Sequence, residues 1–244
     1  MKERKVPLLL DDVEAKVIYH VYEGFDLNTF LISFHERRKI LSTLDGFKWV
    51  LFVANNYTPL RLSERTMQNY KAFKRKFPRS LGILPQDIAF MSTGVNMDNA
   101  AVHESSYQEL KVCCVATAGA KGNALRTGVD KAFYIERNGK FQHIPGTINL
   151  IILTNARLTN GAMARAIITA TEAKTAALQD LNVKSTSSPQ LQATGTGTDN
   201  VIVVSAKNGK PLQITSGHVK IGELIGFSTK IAVTEALKKH DGLS

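Results

Sequence analysis

Cysteine, tryptophan and long apolar runs are what this 244-residue chain has least of. Its two cysteines, Cys113 and Cys114, are neighbours. Adjacent strand residues point to opposite faces, so a bridge between them would be strained, and the spacing is not that of a zinc site. A disulfide framework and a thiolate metal centre are thereby set aside, and both residues are expected as buried, reduced thiols. No apolar run reaches the roughly 18–20 residues of a membrane helix. The opening MKERKVPLLL follows its charges with only three leucines, too few for the apolar region of a signal peptide. A cytoplasmic protein with no membrane partner is the expectation. The six histidines (His20, His35, His103, His143, His218 and His240) show no HxxxH or HExxH spacing, so no metal is expected. There is no GxSxG elbow either.

What the chain does have is an ordinary globular composition, 43% hydrophobic and 21% charged, with a net charge of +10. Basic residues cluster at Arg37, Arg38 and Lys39 and again at Lys71, Lys74, Arg75, Lys76 and Arg79. A nucleic-acid surface would interleave exposed aromatics with such charges. Here Trp49 is the single tryptophan, and Tyr70, Phe73 and Phe77 have the spacing of a buried helix face. A solvated basic face is the preferred reading, with no nucleic-acid partner.

Short β-branched, leucine-rich or aromatic runs predict strands at 5–10, 14–22, 29–34 and 48–54, separated by turns such as Glu23-Gly24 and Asp45-Gly46. Met67, Tyr70, Phe73 and Phe77 predict a helix over 63–77, with Ser63 as N-cap and Pro78 as its stop. Further strands are expected at 87–92, 99–103, 110–117, 131–136, 148–153 and 200–205, and long helices at about 160–181 and 220–239. Strands come early and long helices late, without βαβ alternation. This predicts an α+β fold, with mixed or antiparallel β-sheet layers covered by two helices of the C-terminal half, in a single domain over 1–244. Residues 184–198, rich in Ser, Thr, Gly and Gln, read as a loop.

Five segments carry residues suited to chemistry. TAGAKGNA (117–124) places Gly119 and Asn123 in a small-residue turn that lets backbone approach a ligand. PGTIN (145–149) alternates Thr147 and Asn149 about Ile148, so both polar side chains share one face. In the 160–181 helix, Lys174 falls among the apolar positions, where a charge needs either a partner or an escape to water; Glu172 points to the opposite side. ATGTGTD (193–199) supplies Thr194, Gly195, Thr196, Gly197, Thr198 and the carboxylate of Asp199. It lacks the Lys-Ser/Thr of a Walker loop and the GxGxxG spacing. SGHVKIGE (216–223) places His218 beside the start of the last helix.

In this order and wording the five segments, above all TATEAKTAAL and ATGTGTD, resemble the adenosylcobinamide amidohydrolase family. The resemblance runs from about residue 92 to 237. ERRKILSTLDGF is similar to a further family segment, with Gly46-Phe47 where a Gly-Gly pair is expected. The resemblance implies hydrolysis of the amide joining the corrin's propionyl group to aminopropanol, which yields adenosylcobyric acid. It implies an adenosylated corrinoid as substrate and no cofactor; a homo-oligomer is left open. Chemical inference then assigns roles. Asn123 and N–H groups of residues 195–198 would hold the oxyanion and corrin amides, with Gly119, Thr147, Asn149 and Thr194 also binding substrate. Glu172 or His218 would activate water, Lys174 would stabilise charge or protonate the amine, and Asp199 would orient one of them. Thr147 as nucleophile lacks an identifiable base. The rivals are a corrinoid-binding protein without hydrolysis, a nucleic-acid-binding protein, and a phosphate-ester or nucleotide enzyme built on the 195–199 loop.

Overall fold

The computed structural model describes residues 2–132 and 146–243. The first strands, β1 (Lys2–Val6), β2 (Val13–Tyr22), β3 (Phe25–Ser42) and β4 (Gly46–Tyr57), form an antiparallel meander. Tyr22 pairs with Phe25, so the β2–β3 loop is the two residues Glu23 and Gly24, with φ of 49° and 83°. That is the left-handed pair a tight hairpin requires. α1 (Leu60–Met67), α2 (Tyr70–Ser80) and β5 (Ile88–Thr93) follow, β5 running parallel to β4. Then come β6 (Ala101–Tyr107), β7 (Leu110–Gly119), the short β8 (Ala124–Leu125), β9 (Thr147–Thr154) and α3 (Asn160–Asp180). The chain ends through β10 (Gly195–Thr196), β11 (Asn200–Val204) and α4 (Lys220–Asp241).

Nine strands make one mixed sheet, in the order β1-β2-β3-β11-β9-β7-β6, with β4 and β5 continuing from β3. β3 is its spine. Its first half pairs with β2, and beyond an irregularity between Ser33 and Arg38 its end pairs with β11. The strand thereby passes from one half of a curled sheet to the other, and three apolar clusters show the resulting layers. Ile148, Leu150 and Ile152 of β9 face α3 and α4. Their alternates Ile151 and Leu153 face Phe30, Ile32, Val53 and Met91 of the other half-sheet. The outer face of that half, with Leu31, Ala54 and Phe90, is covered by Leu62, Phe73 and Phe77 of α1 and α2. Period-two alternation in β9 thus serves two cores at once, which is why the strand reads as continuously apolar. Cys113 and Cys114 show the same alternation. Both are free and buried, one in each core.

The α+β architecture and the two long helices agree with the sequence, and several local expectations are corrected. Residues 63–77 are two helices rather than one. Asn69 leaves helical geometry (φ −145°, ψ 66°) and its side chain accepts from Ala72 N at 3.1 Å, capping α2. Ser63 is no cap but an interior residue of α1, whose N–H bonds Pro59 O at 2.9 Å. Pro78 does not stop α2, which continues to Ser80; in the last turn a missing N–H costs a single ladder bond. The first strand is Lys2–Val6 instead of 5–10, because Pro7 has no N–H to extend the pairing with β2. The strand expected at 99–103 starts at Ala101, after a 3-10 turn over Met97–Asn99. The one expected at 131–136 lies outside the described residues except for 131 and 132, which are not in a strand. Residues 184–198 are pinned more firmly than their composition suggests. Asp130 accepts from the hydroxyls of Ser185 (2.5 Å) and Ser188 (2.6 Å), and β10 pairs with β8.

Candidate active site

At one end of the curled sheet the two halves part. The C-terminal ends of β4, β5 and β7 and the starts of β9 and β11 lie together there, as the pairings Tyr57 with Thr93, Gly119 with Thr147 and Asn149 with Asn200 require. Between them opens a cavity of about 700 Å³, within the usual range for a small-molecule site. α1 and α2 wall one side through Leu60, Met67 and Tyr70, and the end of α4 walls another through His240 and Asp241. Gly119, Thr147, Gly197, Thr198 and Asp199, all singled out in the sequence, line it.

Below the cavity the half-sheets are joined by buried amides. Asn149 Nδ2 donates to Asn55 Oδ1 and to the Ser92 carbonyl, both at 3.0 Å, and Asn55 Nδ2 donates to Thr117 Oγ1 at 2.7 Å. Asn149 is therefore a strut between β9, β4 and β5, and it lies outside the cavity lining. Thr147, on the same face one step nearer the opening, donates its hydroxyl to the Thr198 carbonyl at 2.7 Å.

Asp199 gathers the densest set of donors. One oxygen accepts from Ile148 N (3.0 Å) and Thr196 Oγ1 (2.5 Å); the other accepts from Thr196 N (3.0 Å) and from the ammonium of Lys174. The buried lysine of α3 thus has the partner its position demands, and the pair ties the 195–199 loop to both helix and sheet. A side chain at Gly195 would force this pair to shift, since a Cβ would stand 2.5 Å from both Asp199 Oδ2 and Lys174 Nζ. A carboxylate engaged by four donors is an anchor. Asn123 fixes the neighbouring turn, donating to Gly146 O at 2.7 Å and Thr198 Oγ1 at 3.3 Å. Thr194 accepts from Thr127 N at 3.0 Å, away from the lining.

The structure does not bring the remaining candidates to this place. Glu172 is exposed on α3 and lines no part of the cavity. His218 is exposed ahead of α4, bonded to Ser216 Oγ at 3.0 Å, and Glu223 pairs instead with Lys220 at 2.6 Å. The histidine that does line the cavity is His240 in the last turn of α4. Its ring packs against Gly119, where a Cβ would come within 2.9 Å of Cδ2. Asn99 Nδ2 lies 3.5 Å from its Nδ1, and Asp241 Oδ1 lies 4.0 Å from its Nε2. Asp241 is buried and accepts from Ala120 N at 2.7 Å, so α4 grips the 117–124 turn directly. Tyr70 is the other group sequence reasoning overlooked. Burial, with Asp45 adding to it, pushes its hydroxyl up to about 12, so it is a neutral donor at any ordinary pH. His240 carried no local signal, because its place depends on how far α4 runs beneath the turn. No group of three or more His, Cys, Asp or Glu suited to a metal occurs among the described residues.

With the geometry in place, comparison with known proteins identifies the class. The chain matches the family adenosylcobinamide amidohydrolase over residues 13–244. It belongs to that family, and its activity is hydrolysis of the linear amide of adenosylcobinamide in corrinoid salvage. The match extends to the N-terminal strands, well beyond the segments that carry the resemblance in sequence. A protein of Methanocaldococcus jannaschii described only as uncharacterized is 46% identical over 248 residues, covering 96% of this chain and 96% of that one. Among solved structures, the PH0078 protein from Pyrococcus horikoshii OT3 aligns with TM-score 0.46 at 11% identity, covering 93% of this chain and 83% of that one. A Burkholderia sp. β-aminopeptidase aligns with TM-score 0.48 at 9% identity, covering 93% and 84%. Likeness at that level carries no argument about chemistry. No helix is long and apolar enough to cross a membrane among the described residues.

Proposed function

We propose that the cavity between the half-sheets receives the aminopropanol-bearing arm of the corrinoid, and that its amide bond is broken there. The observation that carries this is convergence. Three polar segments far apart in the chain, 117–124, 146–149 and 193–199, meet on one cavity against the one histidine lining it among the described residues.

In this reading His240 is the proton carrier. Asn99 can turn its amide either to accept from Nδ1–H or to donate to Nδ1, so Nε2 serves as base in one tautomer and as acid in the other. Water adds to the amide carbon as His240 takes one of its protons. The C–N bond then breaks as that proton passes to the departing nitrogen, leaving a carboxylic acid and aminopropanol. Of the N–H groups at 196–198, Thr196 and Thr198 are committed to Asp199 and Thr196 Oγ1, which leaves Gly197 N–H to meet the developing oxyanion. A Cβ at Gly197 would lie 3.0 Å from Asn123 Oδ1, so any side chain there must displace the Asn123 amide that fixes the turn. Lys174, Asp199 and Asn123 are positioning residues that hold this loop. Two free, buried thiols accord with a reducing cytoplasm as the place of action.

The test is incubation of the purified protein with adenosylcobinamide, following cobyric acid and aminopropanol by chromatography and mass spectrometry. Turnover that survives intact in His240→Gln and in a variant with bulk at Gly197 would place the chemistry elsewhere. Tight corrinoid binding with no release of aminopropanol would favour the binding-protein alternative.

A further inference from the structure

Beside the cavity, across a shared wall, lies a second concavity of about 240 Å³ whose lining is dominated by cations. Lys71, Lys74 and Arg75 of α2 and Lys48 of β4 surround it, with Asp45 as its one carboxylate. Its floor is apolar, formed by Ile88 and Phe90 of β5 and by Pro85. Lys74 is paired with Asp45, and Lys48 donates one proton to the Ile88 carbonyl at 3.0 Å. An ammonium has three donors, so both retain free ones. Lys71 and Arg75 are exposed and form no ion pair among the described residues. The sequence cluster at 71–79 is therefore divided. Lys76 and Arg79 are not among the residues lining this concavity, while the cluster's other three members line it together with Lys48, a lysine remote in sequence.

The two concavities have a common partition. Leu44 lines the cavity and Asp45 the basic concavity; Tyr70 lines the cavity and Lys71 the basic one. The Lys74 ammonium sits 5.6 Å from the centre of the Tyr70 ring, and Asp45 acts electrostatically on the Tyr70 hydroxyl. Charges that repel one another are gathered on an apolar floor at the edge of a substrate site. We propose that this concavity is an oxyanion subsite that binds a phosphate group. The guanidinium of Arg75 and three ammonium groups suit a tetrahedral anion, and an apolar floor strengthens each such contact. The volume admits a phosphate with several waters, each taking about 30 Å³.

The phosphate can be part of the substrate, as an ester on the aminopropanol arm next to the scissile amide, or it can be free in solution. The first source rests on the cavity assignment made above; affinity for free phosphate does not, so the two are separable. The experiment uses the full chain at fixed ionic strength. Inorganic phosphate is titrated calorimetrically into wild type, Lys71→Ala/Arg75→Ala and the control Lys76→Ala, whose side chain lies outside the concavity. KM is then compared for adenosylcobinamide with and without a phosphate ester on its aminopropanol. Both replaced side chains are exposed, and circular dichroism verifies that the double variant is folded.

Phosphate should bind wild type and Lys76→Ala and fail to bind the double variant. If the substrate carries the anion, the ester should lower KM about tenfold or more in wild type, the effect of one or two charge-assisted hydrogen bonds, and within about twofold in the double variant. Phosphate binding with no effect of the ester would identify the free anion as the occupant of the same subsite. No phosphate binding and no preference in wild type, or equal behaviour in wild type and Lys71→Ala/Arg75→Ala, would overturn the proposal.

Discussion

Replacing Lys174 by Met tests the anchor beneath the cavity most directly. The substitution keeps a linear apolar stem and removes only the ammonium. Asp199, whose side chain is 16% exposed, then remains a carboxylate without its countercharge. It keeps Ile148 N at 3.0 Å, Thr196 N at 3.0 Å and Thr196 Oγ1 at 2.5 Å. Removing one partner of a buried pair costs about 3–5 kcal/mol, and three surviving donors point to the lower end, about 3 kcal/mol. For a chain of this size each kcal/mol shifts Tm by about 2–4 °C, so a fall of about 6–12 °C is expected. Urea unfolding should show a lower midpoint with an unchanged slope. The companion Lys174→Met/Asp199→Asn removes the stranded charge as well. Recovery should be partial, because one of the donors now facing Asp199 would meet the amide nitrogen. The coupling between the two sites should lie within about 0.5–3 kcal/mol. The loop carrying Gly197 N–H loosens in the single variant, so kcat/KM should fall with stability. A Lys174→Met protein within about 0.5 kcal/mol of wild type would refute the argument, because the pair would then behave as a solvated surface contact.

His240→Gln should lower kcat by about 10²–10⁴ while substrate affinity changes only a few-fold, measured by single-turnover hydrolysis alongside equilibrium binding. Gly119→Ala should displace the His240 ring, whose nearest atom would be 2.9 Å from the new Cβ, and so reduce kcat more than it reduces Tm. Alkaline stability should report on Tyr70. Its hydroxyl is held up to about 12 in the folded protein, chiefly by burial, against about 10 in the unfolded chain. The unfolded chain releases that proton first, so stability present below about pH 10 is lost as pH rises toward 12. Tyr70→Phe should remove part of that decline, leaving the part due to Cys114, which burial also holds up to about 12. An unaltered alkaline profile in Tyr70→Phe would mean that the hydroxyl ionises freely in the folded state.

How much of this was legible in the sequence depended on how local the deciding interaction is. Alternation in 148–153 and the spacing of alanines in 160–181 are set by which face of an element meets a core, and both elements appear where expected. The break between α1 and α2 was hidden, because Tyr70, Phe73 and Phe77 keep helical spacing on α2 alone, whereas the stop is one asparagine bonding its own backbone. The unexpected lysine on the α3 face was a sound signal of a partner. Its burial demanded a carboxylate, and Asp199 was already a candidate from a different segment. Nothing short of the parallel pairing of β11 with β9 could show that the two meet. His240 was illegible for the same reason on a longer scale, since its value comes from the turn at 119–120 lying against the last turn of a helix more than a hundred residues later.

The position of the site follows from the curled sheet. A flat sheet with helices on both faces would bury its strands evenly and leave its polar ends apart. Here β3 crosses from one half to the other, so the ends of β4 and β5 are carried opposite the ends of β7, β9 and β11. Apolar residues close the space between the halves over most of its length. Toward the opening, the sequence replaces them with Asn55, Thr117 and Asn149, whose side chains bond across the gap, and with Thr147; none packs as tightly as a leucine. The cleft is therefore propped open at the point where the glycine turns at 119, 146 and 197 bring backbone to its surface. Replacing Asn149 with Leu should test this. It removes two donors at 3.0 Å that span the halves, leaving Asn55 Oδ1 buried without its donor and the part-buried Ser92 carbonyl without its bond from β9. A cost of about 1–3 kcal/mol for the stranded Asn55 oxygen is expected in urea unfolding, with a smaller addition from the carbonyl beside the cavity. Corrinoid binding should weaken alongside it, since the two walls that form the cavity are no longer held in register. Loss of stability with wild-type affinity would show instead that the walls are set by the helices outside them.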